Sequence, residues 1–292
     1  MVVKEKILFV VNPVSGTGKR EKALKLIKEK LSPNYDAKIV ITKFAGEATE
    51  IAIRYHQKGF NKVIAVGGDG TVNEVAKGVS GTNMAMGIIP TGSGNGLARH
   101  LHIPMNISKA IEVINRGNVT DIDHGTINDT MFFCTSGVGF DALIGNKFAE
   151  AGTRGLTTYA KTTIREYFTF KPQHYTLDID GKIYERDSFM ITFANASQYG
   201  NNAYIAPHAD IADGLIDVVI VKRFPLYKSP RFAYQMFTKK MNRSPYVETF
   251  RAKNITLNRK EAGYVHFDGE PGTMGAMLKI AAVHAALKVI IP

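Results

Sequence analysis

The chain has 292 residues, 45% of them hydrophobic and 22% charged, a balance that supplies a sizeable core and excludes a disordered segment or a small disulfide-stapled scaffold. Cys134 is the single cysteine, so no intramolecular disulfide can form, which fits a reducing compartment. The net charge of +11 calls for an anionic counterpart, and nucleic acid, an anionic membrane and phosphorylated ligands all answer to it.

Taken in chain order, Ile7–Val11 is an apolar run too short for a signal-peptide core and is expected to be a first strand. A helical stretch, Lys19–Leu31, follows it. Lys38–Thr42 is strand-like, Glu47–Gln57 helix-like, and Val63–Val66 has the composition of a buried strand. Thr71–Val79 predicts a helix, Met84–Ile89 a strand, Asn95–Leu101 a helix start, and Ser108–Asn115 a helix capped by Ser108. Short apolar strands alternating with helices predict a parallel sheet covered on both faces.

The pattern changes near Val119. Strand-like segments dominate at Met131–Thr135, Tyr175–Ile179, Ile183–Tyr184, Phe189–Phe193, Leu215–Val221, Ile255–Asn258 and Met277–Ile291, with Asp180-Gly181 as a hairpin turn. Helical insertions are expected over Gly145–Tyr167 and Leu226–Arg243. The expected architecture is therefore an α/β domain over 1–125, with a parallel sheet and glycine-rich loops. A mainly antiparallel β domain with helical insertions is expected over 126–292. The C-terminal apolar stretch is interrupted by Lys279, His284 and Lys288 and does not read as a membrane span, so a cytoplasmic protein is expected.

Three turns of the first domain carry the chemistry. They are Asn12–Lys19, Gly67–Thr71 and Pro90–Gly96, each rich in glycine or small polar residues and each following a strand. In a parallel sheet all three emerge at the carboxyl edge, where open α/β sheets bind ligands. Glycine lets backbone N–H groups approach a phosphate closely. A single such loop is more economically a tight strand-to-helix turn; three on consecutive crossovers favour a phosphate site. Neither the Walker A spacing nor the dinucleotide fingerprint is met. Asp69, an acid among glycines, would repel a phosphate unless it holds magnesium or accepts a proton; a turn or capping role is the bland alternative.

The ordered motifs Asn12-Pro13-x-Ser15-Gly16, Gly67-Gly68-Asp69-Gly70-Thr71, Pro90-Thr91-Gly92-Ser93-Gly94-Asn95, Gly139–Ala142, Ala206–Asp217 and Asp268-Gly269-Glu270 resemble the signature of the diacylglycerol kinase catalytic family, which includes sphingosine and ceramide kinases. The resemblance implies an ATP-dependent lipid kinase that phosphorylates the hydroxyl of diacylglycerol, a sphingoid base or a related lipid. It places ATP against Asn12, Ser15, Gly16, Thr42, Gly67, Gly68, Gly70, Thr71, Gly92, Ser93 and Glu270. It places a structural magnesium ion on Asp213 and on the backbone carbonyls of Asp210 and Leu215. Asp268 matches the general base proposed for bacterial members, and Asp69 the one assigned in sphingosine kinases; both stand as catalytic candidates. One departure matters: bacterial diacylglycerol kinases carry an aspartate of the magnesium network where this chain has Gly96. The alternatives are a small-molecule kinase similar to NAD kinases, which share the Gly-Gly-Asp-Gly loop, and a non-catalytic lipid- or nucleotide-binding regulator.

The window Lys222–Lys253 holds nine basic residues and one acid, Glu248, giving +8 of the total +11. Aromatic residues lie between the charges, and Tyr227, Tyr234 and Met241 would share one helical face. This composition predicts peripheral contact with an anionic membrane; the plain alternative is core aromatics and a solvated basic face. No nucleic-acid module surrounds the window, and none is expected as a partner. Tyr159–Phe170 is a second candidate for contact with acyl chains. Cys134 is expected to be a buried small hydrophobe.

Overall fold

The computed structural model describes residues 4–16, 18–150 and 156–292, with 148–150 and 156–162 as backbone alone. Contacts divide the chain into two compact units. One comprises 1–123, 200–202 and 284–292, the other 124–199 and 203–283.

The first unit alternates strand and helix: β1 (Glu5–Val11), α1 (Lys19–Lys30), β2 (Tyr35–Ile41), α2 (Glu47–Gln57), β3 (Lys62–Gly67), α3 (Asp69–Val79), β4 (Ala85–Pro90), α4 (Gly96–His100) and α5 (Ile107–Arg116). Its strands run parallel in the order β2-β1-β3-β4. The C-terminal strand adds to β4 in parallel, with Val289 opposite Met86. β3 and β4 are buried along their whole length, which is why both read as continuous apolar runs. Helix α2 buries Ala48, Ile51 and Ala52 against α3. There Gly78 is required, because a Cβ would lie 2.8 Å from Ala52 Cβ and from the Thr49 carbonyl oxygen.

Two details differ from expectation. Helix α5 is capped by Asn106, whose side chain accepts from Lys109 N at 3.2 Å, and not by Ser108, which lies inside the helix. Helix α3 begins at Asp69, two residues before the expected start, so Asp69 sits in the first helical turn.

The second unit contains the end of β5 (Val119–Ile127), then β6 (Thr130–Phe132), β7 (Thr135–Gly139), α6 (Phe140–Glu150), α7 (Leu156–Thr169), β8 (Gln173–Ile179), β9 (Lys182–Ser188), β10 (Met190–Ala194), β11 (Ile216–Val221), α8 (Ser229–Phe237), β12 (Val247–Ala252), β13 (Asn254–Arg259), β14 (Gly263–Phe267), β15 (Glu270–Met274) and the start of β16 (Met277–Ile290). Residues 151–155 of the expected insertion Gly145–Tyr167 lie outside the described residues. One antiparallel sheet runs β12-β11-β10-β7-β14-β15. A second layer joins β13 to β16, to β8 and through β8 to β9. The Asp180-Gly181 turn closes β8–β9 with both residues at positive φ, as the hairpin signal requires.

Between the layers lies an apolar core that includes Phe132, Tyr175, Leu177, Phe193, Val218 and Leu278. Arg186 on β9 ties the layers with a bidentate pair to Glu248 on β12, at 2.9 Å for both bonds. The helical insertions build a second aromatic cluster, with Phe140 stacked on Phe189 at 4.3 Å and Phe224 on Phe232 at 4.5 Å.

Candidate active site

In the first unit the three glycine-rich turns are in mutual contact. Asn12 Nδ2 donates to Thr71 Oγ1 at 3.0 Å, and Asn12 Oδ1 accepts from Val14 N at 3.0 Å. Ser15 Oγ and Thr91 Oγ1 are 2.8 Å apart. Thr42, at the end of β2, donates its N–H to the Val11 carbonyl at 2.9 Å.

The second and third turns meet backbone against backbone. A Cβ on Gly92 would lie 2.5 Å from Gly68 Cα, and one on Gly16 would lie 2.3 Å from the Thr91 carbonyl oxygen. A Cβ on Gly67 would strike the Thr71 side chain at 2.3 Å. These glycines are therefore explained by close approach, not by loop flexibility. Ser93 is exposed at the tip of the third turn.

Asp69 organises this arrangement. Its Oδ2 accepts from Asn95 N at 2.8 Å and its Oδ1 from Gly96 N at 2.6 Å, so one carboxylate pins the third turn onto the second. Gly94 makes room for it, since a Cβ there would lie 2.6 Å from Asp69 Oδ2. Gly96 thus has a visible task as an N–H donor to Asp69. Within the third turn, Asn95 Nδ2 donates to the Gly92 carbonyl at 2.8 Å, and Arg99, which the sequence reading missed, donates its Nε to the Gly94 carbonyl at 2.9 Å. Asn95 holds the left-handed conformation (φ 52°) that asparagine tolerates, at the turn just before α4.

In the second unit Asp268 occupies the β14–β15 turn at φ 52°, followed by Gly269 at φ 88°. Its carboxylate accepts three backbone N–H groups, from Phe133 at 2.8 Å, Cys134 at 2.7 Å and Thr135 at 3.0 Å. Asp268 therefore clamps the β6–β7 junction as well as presenting an acid. Cys134 is buried beside it. Glu270 opens β15 in an exposed position.

Asp141, in the Gly139–Ala142 motif, gathers a further cluster. Its Oδ2 lies 3.3 Å from Thr192 Oγ1, from Tyr199 OH and from His266 Nε2. Thr192 Oγ1 and Tyr199 OH are 2.7 Å apart. These partners come from separate strands and a loop, and no spacing in the sequence links them.

A model for the diacylglycerol kinase catalytic domain matches residues 6–127. A model for the YegS C-terminal NAD kinase beta sandwich-like domain matches 135–291. The chain belongs to the diacylglycerol kinase family. It is 27% identical to the diacylglycerol kinase of Bacillus subtilis (strain 168) over 272 residues, covering 91% of this chain and 90% of that protein. It is 28% identical to the diacylglycerol kinase of Mycobacterium tuberculosis (strain ATCC 25618 / H37Rv), covering 98% and 95%. A crystal structure of a diacylglycerol kinase from Bacillus anthracis str. Sterne superposes with a TM-score of 0.78 at 24% identity, covering 99% of this chain and 97% of that one, and shows the same fold. The chain is accordingly a lipid kinase.

The resemblance to bacterial members also implies a magnesium ion on Asp213 in this lipid kinase, and the local geometry tests it. Asp213 Oδ1 accepts from Leu215 N at 3.0 Å, while Asp213 Oδ2 is paired with Arg251 Nη2. Arg251 Nε also lies 3.5 Å from Asp217 Oδ2. Asp210 is exposed and caps Ala212 N at 3.1 Å. Burial pushes the Asp217 carboxyl up to about 6, with Arg251 opposing the shift and Asp213 adding to it. A hard dication needs the carboxylate oxygen that the guanidinium already holds, so these residues do not fit the ion. Among the described residues no group of three or more His, Cys, Asp or Glu is placed to hold a metal.

The basic window resolves into two populations. Phe224, Phe232 and Met241 are buried in the aromatic cluster, so Met241 does not share an outer face with Tyr227 and Tyr234. By contrast Tyr227, Tyr234 and Phe237 are 76%, 58% and 56% exposed. Lys228 lies 5.2 Å from the Tyr227 ring centroid and Lys240 lies 5.5 Å from that of Tyr234. Of the second candidate stretch, the side chains of 159–162 lie outside the described residues. Tyr167 is core, while Ile164 and Phe168 are exposed. No described helix is long and apolar enough to cross a membrane.

Proposed function

We propose that this kinase transfers the γ-phosphate of ATP to the hydroxyl of diacylglycerol. The observation that carries the nucleotide half is the backbone contact of Gly68 with Gly92, pinned by Asp69. Around that contact lie Asn12, Ser15, Gly16, Gly67, Gly68, Gly70, Thr71 and Gly92, a cluster of close-packed glycine backbone and small polar side chains of the kind that suits a polyphosphate. Thr42 and Ser93 belong to the same unit as these turns and are proposed as further nucleotide contacts, and the family resemblance proposes Glu270 as another. The choice of diacylglycerol rests on the printed activity of the relatives.

In the reaction the acceptor hydroxyl gives its proton to a carboxylate. Its oxygen then bonds to the γ-phosphorus as the bond to the bridging oxygen breaks, and ADP leaves. Magnesium arriving with ATP neutralises charge on the phosphates. Asp69 and Asp268 are the two candidate proton acceptors, each held in a fixed orientation by backbone N–H groups.

The test is transfer of labelled γ-phosphate from magnesium–ATP to a panel of lipids in mixed micelles, with NAD as a control acceptor. Label on diacylglycerol supports the proposal. Label on a sphingoid base would replace the substrate, label on NAD alone would replace the reaction class, and ATP binding without any transfer would indicate a regulator.

The same kinase is proposed to meet its lipid at an anionic membrane through the exposed Tyr227, Tyr234 and Phe237 and the surrounding Lys228, Arg231, Lys239 and Lys240. Each basic residue near such a surface gains about 1 kcal/mol. Reversing Lys239 and Lys240 to glutamate is expected to abolish cosedimentation with anionic vesicles and to leave turnover on detergent-dispersed substrate unchanged. Binding indifferent to anionic lipid content would refute this docking face.

A further inference from the structure

The misfit at Asp213 has a specific structural form. Asp213 and Asp217 both lie against one guanidinium, that of Arg251, across the β11–β12 pairing that sets Asp217 opposite Arg251. The Asp217 side chain is only 5% exposed and that of Asp213 is 23% exposed. A buried carboxylate beside a second acid is costly to keep charged unless a cation pairs with it. The main chain is bent to bring them together, with Gly214 at φ 74° and Leu215 N turned onto Asp213 Oδ1.

We propose that Arg251 takes the place of a divalent cation at this loop, so that the 206–217 segment of this chain is locked by its own side chain and needs no structural metal. A guanidinium suits the position because its planar fork presents several N–H donors to more than one carboxylate oxygen at once. Its single charge balances the pair only in part, and the Leu215 N–H that donates to Asp213 Oδ1 supplies a further positive end of a dipole. The proposal concerns the folded state of the nucleotide-free protein and does not depend on which lipid is phosphorylated.

The experiment compares thermal unfolding of the nucleotide-free protein in EDTA and in millimolar magnesium, for the natural chain, Arg251→Met and Arg251→Lys. Metal content is measured by elemental analysis after gel filtration in metal-free buffer. The natural chain is expected to retain no stoichiometric magnesium and to unfold at the same temperature in both buffers. Arg251→Met is expected to unfold several degrees lower in EDTA, where roughly 2–4 °C corresponds to each 1 kcal/mol in a chain of this size. Part of that loss is expected to return with magnesium, because the freed acid pair and the Asp210 and Leu215 carbonyls then offer oxygen ligands. Arg251→Lys keeps a cation and is expected to remain indifferent to magnesium.

Stoichiometric magnesium in the natural chain, or a fall in its unfolding temperature on adding EDTA, would overturn the proposal. So would an Arg251→Met chain that is destabilised yet indifferent to magnesium, which would make Arg251 an ordinary ion-pair partner. If Arg251→Met does not fold, the natural chain and Arg251→Lys still decide the matter.

Discussion

The two units solve the same problem, holding polar groups still, by different means. In the first unit the candidate phosphate site is built from backbone. Gly16, Gly68 and Gly92 allow main chains to touch, and a single acid, Asp69, locks two turns together. In the second unit the polar sites are built from side chains brought from distant strands. Asp268 gathers three N–H groups from 133–135, Asp141 gathers Thr192, Tyr199 and His266, and Arg251 gathers Asp213 and Asp217. A backbone site tolerates no added atom; a side-chain site tolerates atoms but not the loss of a charge or an acceptor.

The sharpest way to break this contrast is at the two acids. Asp69→Asn and Asp268→Asn are each expected to lower turnover about 10²–10⁴-fold if the residue accepts the hydroxyl proton. Each is also expected to cost stability. Both carboxylate oxygens accept backbone N–H groups, and an asparagine would turn an NH₂ against one of them, at about 1–3 kcal/mol. Turnover against unfolding temperature separates the roles. A variant that loses stability but keeps turnover is structural, and near-normal turnover in both would refute the assigned chemistry. Asp69→Asn should also raise the KM for ATP, because it loosens the phosphate turns, whereas Asp268→Asn should not.

Gly92→Ala tests the backbone-built site directly. Its Cβ would lie 2.5 Å from Gly68 Cα, where nothing flexible can yield. Overpacking of this kind costs roughly 1–3 kcal/mol, which at the nucleotide turns should appear as a loss in ATP affinity of about tenfold or more, read by isothermal titration. Unchanged affinity would mean that the two turns need not touch.

The smallest expected effect lies between the sheet layers of the second unit. Arg186 holds the Glu248 carboxyl below its usual range through their bidentate hydrogen bonds. A depressed folded-state value makes the pair stabilising above the unfolded carboxyl value of about 4.3, and that stabilisation is lost as pH falls through the lower folded value. With both side chains about 30% exposed, the pair is expected to contribute about 0.5–1 kcal/mol. Arg186→Met should therefore unfold at a lower temperature than the natural chain near neutral pH, with the gap closing in acid. A gap independent of pH would assign the effect to packing of the arginine stem over Tyr184, 5.4 Å from the guanidinium carbon.

The elements read well where one local signal sufficed. Continuous apolar runs gave β3 and β4, and the Asp180-Gly181 turn gave its hairpin. They read poorly where neighbours decided. The β12 segment carries Glu248 and Arg251 on an otherwise alternating run, and these charges conceal a strand because their partners, Arg186 and Asp213, are far away in sequence. β14 and β15 are short strands of five residues each, too brief for a clear alternation, and they are joined by the Asp268-Gly269 turn. Ser108 lost the cap of α5 to Asn106 because the helix begins at Ile107, the first residue of its buried stripe Ile107, Ala110, Ile111 and Ile114. Tyr227, Tyr234 and Met241 share a seven-residue spacing, yet α8 ends at Phe237 and leaves Met241 in the core.

The sequence by itself determined the order of the elements in the first unit, the three glycine turns and the family to which they belong. Those properties rest on local chemistry: glycine where chains must touch, apolar runs where both faces of a sheet are covered. Only the tertiary structure decided that Asp69 and Asp268 are held by backbone N–H groups, that Asp141 has three side-chain partners, and that Arg251 faces Asp213. Each of those facts is a pairing across many residues, and the energy of a buried charge depends on what the fold sets beside it, which no local pattern encodes.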